Sequence, residues 1–158
     1  MQFKEINLQE FDQYAPGMFS ILSSNMAMIH PEETVTGDDF IRWAAFQREH
    51  FSEKAFVVFT DGNTLAGYFQ YVLRDHDLFI EEIEIRPEYQ VRYNILGRLL
   101  RFMRDRIPEH ITTLSAYINK NNPRSYTVAE KLGLSVAAES ASGKSLLYSG
   151  DIRQLLKR

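Results

Sequence analysis

The chain has no cysteine among its 158 residues, which excludes disulfides, a thiolate nucleophile and a cysteine-held metal. Long apolar runs are also missing. No stretch approaches the length of a membrane span, and nothing resembles a signal peptide. Nor is there a basic excess: 18 Lys and Arg against 21 Asp and Glu leave a net charge of −3. With a pI near 5.8, this argues against a nucleic-acid partner gripped through its phosphates. The histidines, His30, His50, His76 and His110, are scattered without metal-ligand spacing, so no metal is expected. No internal repeat, low-complexity run or linker divides the chain. At 44% hydrophobic and 25% charged it has the composition of an ordinary globular protein, and a cytoplasmic single domain over residues 1–158 is expected.

What is present reads as alternating strands and helices. Met1 to Ile6 suits a first strand. Asn7 with Glu10 has the spacing of a capping box, opening a helix through Leu8, Phe11 and Tyr14. Pro16-Gly17 is expected to break or kink that helix, with Met18, Ile21 and Leu22 continuing beyond it. Asn25 to Gly37 reads as a loop. A further helix over Asp38 to Phe51 has Phe40, Ile41, Ala44 and Ala45 available to pack, and Trp43, Phe40, Phe46 and Phe51 are expected mostly in the core. Lys54 to Thr60 and Thr64 to Leu73 read as strands joined by an Asp61-Gly62-Asn63 turn.

The most informative stretch runs from Leu78 to Asp105. It opens as a strand with Phe79, Glu81, Ile83 and Ile85 on one face and Ile80, Glu82 and Glu84 on the other. Pro87 ends it, having no amide hydrogen for a ladder. The period then turns helical: Ile95, Leu96, Leu99, Leu100, Met103 and Ile107 form one stripe, with Arg98, Arg101 and Arg104 largely opposite. A strand, tight loop and helix in that order place free helix amides where an anion can bind. Thr112 to Ile118, following a crossover helix, should lie parallel to the Leu78 strand. Asn122 is a good N-cap, Pro123 suits the first helical position and Gly133 closes the helix. Ser135 to Ala138 and Ser145 to Ser149 make a last strand pair, and Asp151 to Leu156 a terminal helical turn.

Two of these segments resemble signatures of the GNAT superfamily of acyl-CoA N-acyltransferases. Arg92-Tyr93-Asn94-Ile95-Leu96-Gly97 is similar to its pyrophosphate loop, Q/R-x-x-G-x-G/A, with Ile95 in place of the first glycine. Asn122 to Leu134 resembles its second signature, N-x-x-A-x-x-x-Y-E-K-x-G-F. Asn122, Glu130, Lys131 and Gly133 match it, whereas Ala129 stands where the tyrosine would be. The resemblance implies an α/β fold with a mixed α+β sheet, in the order β-α-α-β-β-β-α-β-α-β-β.

It also implies acetyl-CoA as acyl donor, a primary amine as acceptor and direct attack in a ternary complex. Coenzyme A binding would fall to the amides of Arg92, Tyr93, Asn94, Ile95, Leu96 and Gly97 and the side chains of Arg92 and Asn122. The backbone near Ile85 would donate to the thioester carbonyl. For the general base the strand carboxylate Glu81 is the candidate, against a reading of Glu81, Glu82 and Glu84 as solvated sheet-face acids. For the acid that protonates the leaving thiolate it is Tyr126, with Tyr117 as second choice. Dimers are common in the family, so a homodimer is an expectation of the same kind. Ile95 and Ala129 keep an alternative open: a GNAT-fold protein that has lost transfer and acts as a binding or regulatory module. A different acyl-CoA is the third reading.

Overall fold

A computed structural model describes residues 1–91 and 94–157. The strands are β1 (Gln2–Glu5), β2 (Ala55–Asp61), β3 (Thr64–Arg74), β4 (Asp77–Ile85), β5 (Thr113–Asn119), β6 (Ser135–Glu139) and β7 (Ser145–Asp151). The helices are α1 (Leu8–Ile29), α2 (Gly37–Glu49), α3 (Pro87–Gln90), α4 (Ile95–Arg104), α5 (Pro123–Lys131) and α6 (Ile152–Leu156). Hydrogen bonding orders the strands β1-β2-β3-β4-β5-β7-β6 in one sheet. It is a mixed sheet: β4 and β5 run parallel, as a crossover helix between them requires, and the other described pairs are antiparallel. The contacts divide the chain into two compact units, Met1–Tyr71 with Glu82–Asn94, and Val72–Glu81 with Ile95–Arg158.

In the first unit β2 is buried on both faces, with Phe56, Val57, Val58 and Phe59 at most 1% exposed. Phe11, Ala15 and Met18 of α1 pack with Phe56, Val58 and Tyr68 into the core, and Phe40, Trp43 and Phe51 lie against it. The Asn7 capping box forms as its spacing requires, and Thr36 with Asp39 makes a second one at the start of α2. Two expectations fail in this unit. Helix α1 does not break at Pro16-Gly17 but continues to Ile29, so Asn25 is helical and only residues 30–36 link α1 to α2. The missing Pro16 amide removes one bond, while Ala15, Met18, Ile21 and Leu22 bury a continuous stripe across it. Second, the buried face of α2 is Phe40, Trp43, Ala44 and Gln47, at helical spacing. Ile41 and Phe46 are consequently exposed, at 63% and 52%, and Phe46 lies under the Lys54 ammonium instead.

In the second unit the predicted stripe of α4 holds. Ile95, Leu99 and Met103 are 2% exposed, and Arg98, Arg101 and Arg104 face water. Strand β5 pairs with β7 from Thr113↔Asp151 to Asn119↔Ser145. At the start of β4, Asp77 accepts from the hydroxyls of Thr113, at 2.7 Å, and Ser115.

Candidate functional site

The end of β4 is held by side chains from three directions. Asn25 Nδ2 on α1 donates to Glu84 Oε2 at 2.7 Å and to the Ile85 carbonyl at 3.1 Å. Gln90 Nε2 on α3 donates to the same carbonyl at 2.7 Å. Just beyond the strand, Arg86 N–H donates to the Ala66 carbonyl at 2.8 Å, and Arg86 Nε to the Leu65 carbonyl at 2.6 Å. Backbone groups along a strand point alternately to its two edges. With Arg86 N–H committed to β3, the N–H and C=O of Ile85 point to the opposite edge. That agrees with the Ile85 carbonyl being taken by side chains.

The Arg86–Ala66 pair also sets the facing residues. Stepping back two along β4 and forward two along β3 places Glu84 opposite Tyr68. Glu84 is half-buried, and burial pushes its carboxyl above the ordinary range. Hydrogen bonds from the Glu82 carboxyl and the Asn25 amide pull in the other direction. The Tyr68 phenol is fully buried. Its ionisation is pushed far up, by burial first and then by the charges of Glu82 and Glu84. Glu81, on the opposite face of the strand, is also half-buried, with Oε1 shut off from solvent. None of the three acids is the fully solvated carboxylate of the plain surface reading.

At the loop expected to bind pyrophosphate, Arg92 and Tyr93 lie outside the described residues. Asn94 has φ 45°, a left-handed conformation that asparagine tolerates. Ile95 begins α4 with its side chain in the core, so the residue in place of glycine sits in an ordinary helical position. Leu96 and Gly97 follow in the first turn, both half-buried. In the second unit Asn122 caps α5, accepting from Ser125 N at 3.3 Å. Ala129 is buried at 5% and Tyr126 half-buried. Tyr117 is 49% exposed, its ring edge-on to Phe79 at 6.0 Å. The buried Tyr148 has its hydroxyl on Glu130; burial and then that acid's charge raise its ionisation.

Reading the sequence missed Asn25, Tyr68 and Glu84. The signal for Asn25 was there: Met18, Ile21, Leu22 and Asn25 keep helical spacing beyond Pro16. A cavity of about 350 Å³ between α1 and the β2–β3 turn is lined by Gln13, Tyr14, Gly17, Thr60, Gly62, Asn63 and Leu65, with no carboxylate or imidazole. Among the described residues, His30, Glu32 and Glu33 are the group whose ligand atoms come within 4.8 Å of one another. Both acids are exposed, which is common without an ion.

The model of the acetyltransferase (GNAT) family matches residues 16–134, well over half of the chain. The chain belongs to the GNAT acetyltransferase family. No curated protein matches its sequence, but GNAT structures match its fold. An acetyltransferase from Thermus thermophilus superposes with a TM-score of 0.73 at 18% identity, over 96% of this chain and 97% of that one. The PaiA N-acetyltransferase of Thermoplasma acidophilum, solved with coenzyme A, gives 0.67 at 11% identity over 96% and 99%. A point mutant of the spermidine N-acetyltransferase SpeG from Vibrio cholerae gives 0.67 at 13% over 100% and 99%. At such identities the likeness is one of fold. Family and neighbours together support an acyltransferase. Among the described residues no helix is long and apolar enough to cross a membrane.

Proposed function

We propose that this GNAT protein is a single-domain N-acetyltransferase over residues 1–158, moving the acetyl group of acetyl-CoA onto a primary amine by direct attack in a ternary complex. The observation that carries this reading is the backbone at Ile85. Its N–H points to the edge of β4 away from β3, and its carbonyl is tied down by Asn25 and Gln90. A donor fixed in this way suits the oxyanion that develops on a thioester carbonyl. Attack forms the N–C bond and breaks the C–S bond; the amine gives up a proton and the departing thiolate takes one.

Glu84, beside Ile85 in the chain and with its carboxyl raised by burial, is a base nearer to neutrality than an exposed acid. Glu81 is the candidate on the other face of the strand, and Tyr126 the proposed acid. Asn94, left-handed at the entry to α4, supports a turn whose amides, from Arg92 to Gly97, hold pyrophosphate with Asn122. The coenzyme A complex of the Thermoplasma protein supports that choice of donor. The rival is a GNAT fold retained for binding or regulation, favoured by the buried Ala129, which brings no hydroxyl to the leaving group.

Calorimetric titration with acetyl-CoA and with desulfo-CoA separates the two. Micromolar binding, weakened by Arg92→Ala or Asn122→Ala, is expected, followed by turnover in an amine screen that falls in Glu84→Gln. Silence up to millimolar acetyl-CoA would end the acetyltransferase reading.

A further inference from the structure

We infer that the cavity between α1 and the β2–β3 turn is a binding site for a small uncharged polyol ring, of the size and chemistry of a pyranose sugar. This goes beyond the acetyltransferase reading and does not depend on it: Asn25, Tyr68, Glu84 and Ile85 are not among the residues that line the cavity.

Two local irregularities border this space. On one wall, α1 carries Pro16-Gly17 in its interior, where a glycine costs about 0.5–1 kcal/mol relative to alanine. Crowding does not demand that glycine. An added Cβ would meet only Leu65 Cδ2, at 3.1 Å, the end of a flexible side chain that can turn aside. What the missing side chain secures is open space beside Leu65, and both residues line the cavity. On the other wall the hairpin register slips. Phe59 pairs with Gly67 but Thr60 with Leu65, so Ala66 is an extra residue of β3. A bulge re-aims the side chains beside it, and here Thr60 and Leu65 are turned to the cavity lining. Local rules broken on both sides of one space mark it as a place of function.

The hairpin wall is also held in place. The Tyr89 hydroxyl donates to Asp61 Oδ2 at 3.1 Å, and Arg86 Nε donates to the Leu65 carbonyl at 2.6 Å. The cavity therefore needs little further ordering when a ligand enters.

Its lining selects the ligand. The Gln13 and Asn63 amides and the Tyr14 and Thr60 hydroxyls each offer a donor and an acceptor. Among the described residues, none of these four side chains is hydrogen-bonded to another residue. No charged side chain lines the space, so an ion would leave water without a counter-charge. A purely apolar ring would leave all four polar groups unused. A sugar hydroxyl is itself both donor and acceptor, which matches amides and hydroxyls alike, and the C–H surface of the ring matches Leu65. At about 350 Å³ the cavity lies at the small end of ligand pockets, which run from about 300 to 1,000 Å³, and holds one such ring.

The test titrates the isotope-labelled full chain with the methyl glycosides of glucose, galactose and mannose, read by amide NMR. Cyclohexanol serves as the apolar ring, and glucuronate and glucosamine as the charged ones. At least one methyl glycoside should bind saturably in the millimolar range, with shifts centred on Gln13, Gly17, Thr60 and Asn63. Cyclohexanol should bind at least tenfold more weakly, and neither charged sugar should bind more tightly than the neutral glycosides. Gly17→Ala narrows the space beside Leu65 and should keep the fold, since alanine favours the helix. Asn63→Ala removes one amide at an exposed turn position. Each should weaken the glycoside about threefold to tenfold, and added acetyl-CoA should not displace it. No saturable glycoside binding, equal binding of cyclohexanol, preference for a charged sugar, displacement by acetyl-CoA, or full affinity in both variants would each overturn the inference.

Discussion

Gly67 lies where β3 approaches the end of β4 most closely, and replacing it by alanine tests the geometry at Glu84 and Ile85. A Cβ at this position would stand 2.3 Å from the Glu84 carbonyl oxygen, 3.0 Å from Phe59 Cδ2 and 3.1 Å from the Ile85 Cα. Two of the three obstacles are backbone, so no rotamer change relieves them. To bring the first contact out to 3.0 Å the strands must part by about 0.7 Å. Overpacking of this sort costs about 1–3 kcal/mol, and a backbone obstacle places Gly67→Ala towards the upper end. For a chain of this size each kcal/mol lowers Tm by about 2–4 °C. The same movement displaces the Ile85 amide and the Glu84 carboxyl, and a misplacement near 1 Å can cost about 100-fold in rate. Urea denaturation followed through Trp43 fluorescence measures the first effect, and kcat/KM with acetyl-CoA and an alkylamine the second. Gly62→Ala is the control. It has φ 59° with nothing within 4 Å of the new Cβ, so it should cost about 1–2 kcal/mol for the left-handed backbone and leave kcat/KM within about twofold. If Gly67→Ala lost less than about 0.5 kcal/mol and kept full activity, the close approach of β3 to β4, and the placement of the site built on it, would be wrong.

Two further outcomes follow from α1 and α2. Pro16 is exposed in the interior of α1 and has no N–H to give to the Asp12 carbonyl. Pro16→Ala should therefore raise stability by about 1–3 kcal/mol in urea, reduced by the freedom that proline removes from the unfolded chain; a loss would mean that the ring itself is needed. Asp39 is held below its ordinary value of 3.8, first by hydrogen bonds from the backbone and side chain of Thr36 and then by Arg42. A depressed carboxyl contributes stability that is complete above the unfolded value and fades as pH falls through the folded one. Asp39→Asn should accordingly flatten the acid side of the stability profile below about pH 4, and a profile of unchanged slope there would refute the capping role.

Much of this protein was legible along the chain because its signals are local. The Asn7–Glu10 capping box, the turn at Gly62-Asn63, Pro87 ending β4, the apolar stripe of α4 and the Asn122-Pro123 start of α5 each need only neighbours within a few residues. A helix between β4 and β5 implied that they run parallel. The two GNAT signatures, read in frame, carried the family.

What the sequence alone could not determine depends on contacts between distant segments. Whether α1 survives Pro16 was settled by the stripe it buries against β2 and β3, which outweighs one lost hydrogen bond. Because it survives, Asn25 reaches Glu84 and Ile85, 59 and 60 positions away. The three acids of β4 look alike in sequence, and alternation sorts them only by face. Their partners distinguish them: Glu84 meets Asn25, Glu82 and the face of Tyr68, whereas Glu81 lies on the other side. Sequence by itself determined the order of elements and the family, because periodicity, capping and turn chemistry act over a few residues. Only tertiary structure decided which partners each carboxylate meets, which carbonyl is tied down and which polar atoms are shut off from solvent, because solvent exclusion belongs to the folded surface and not to the chain.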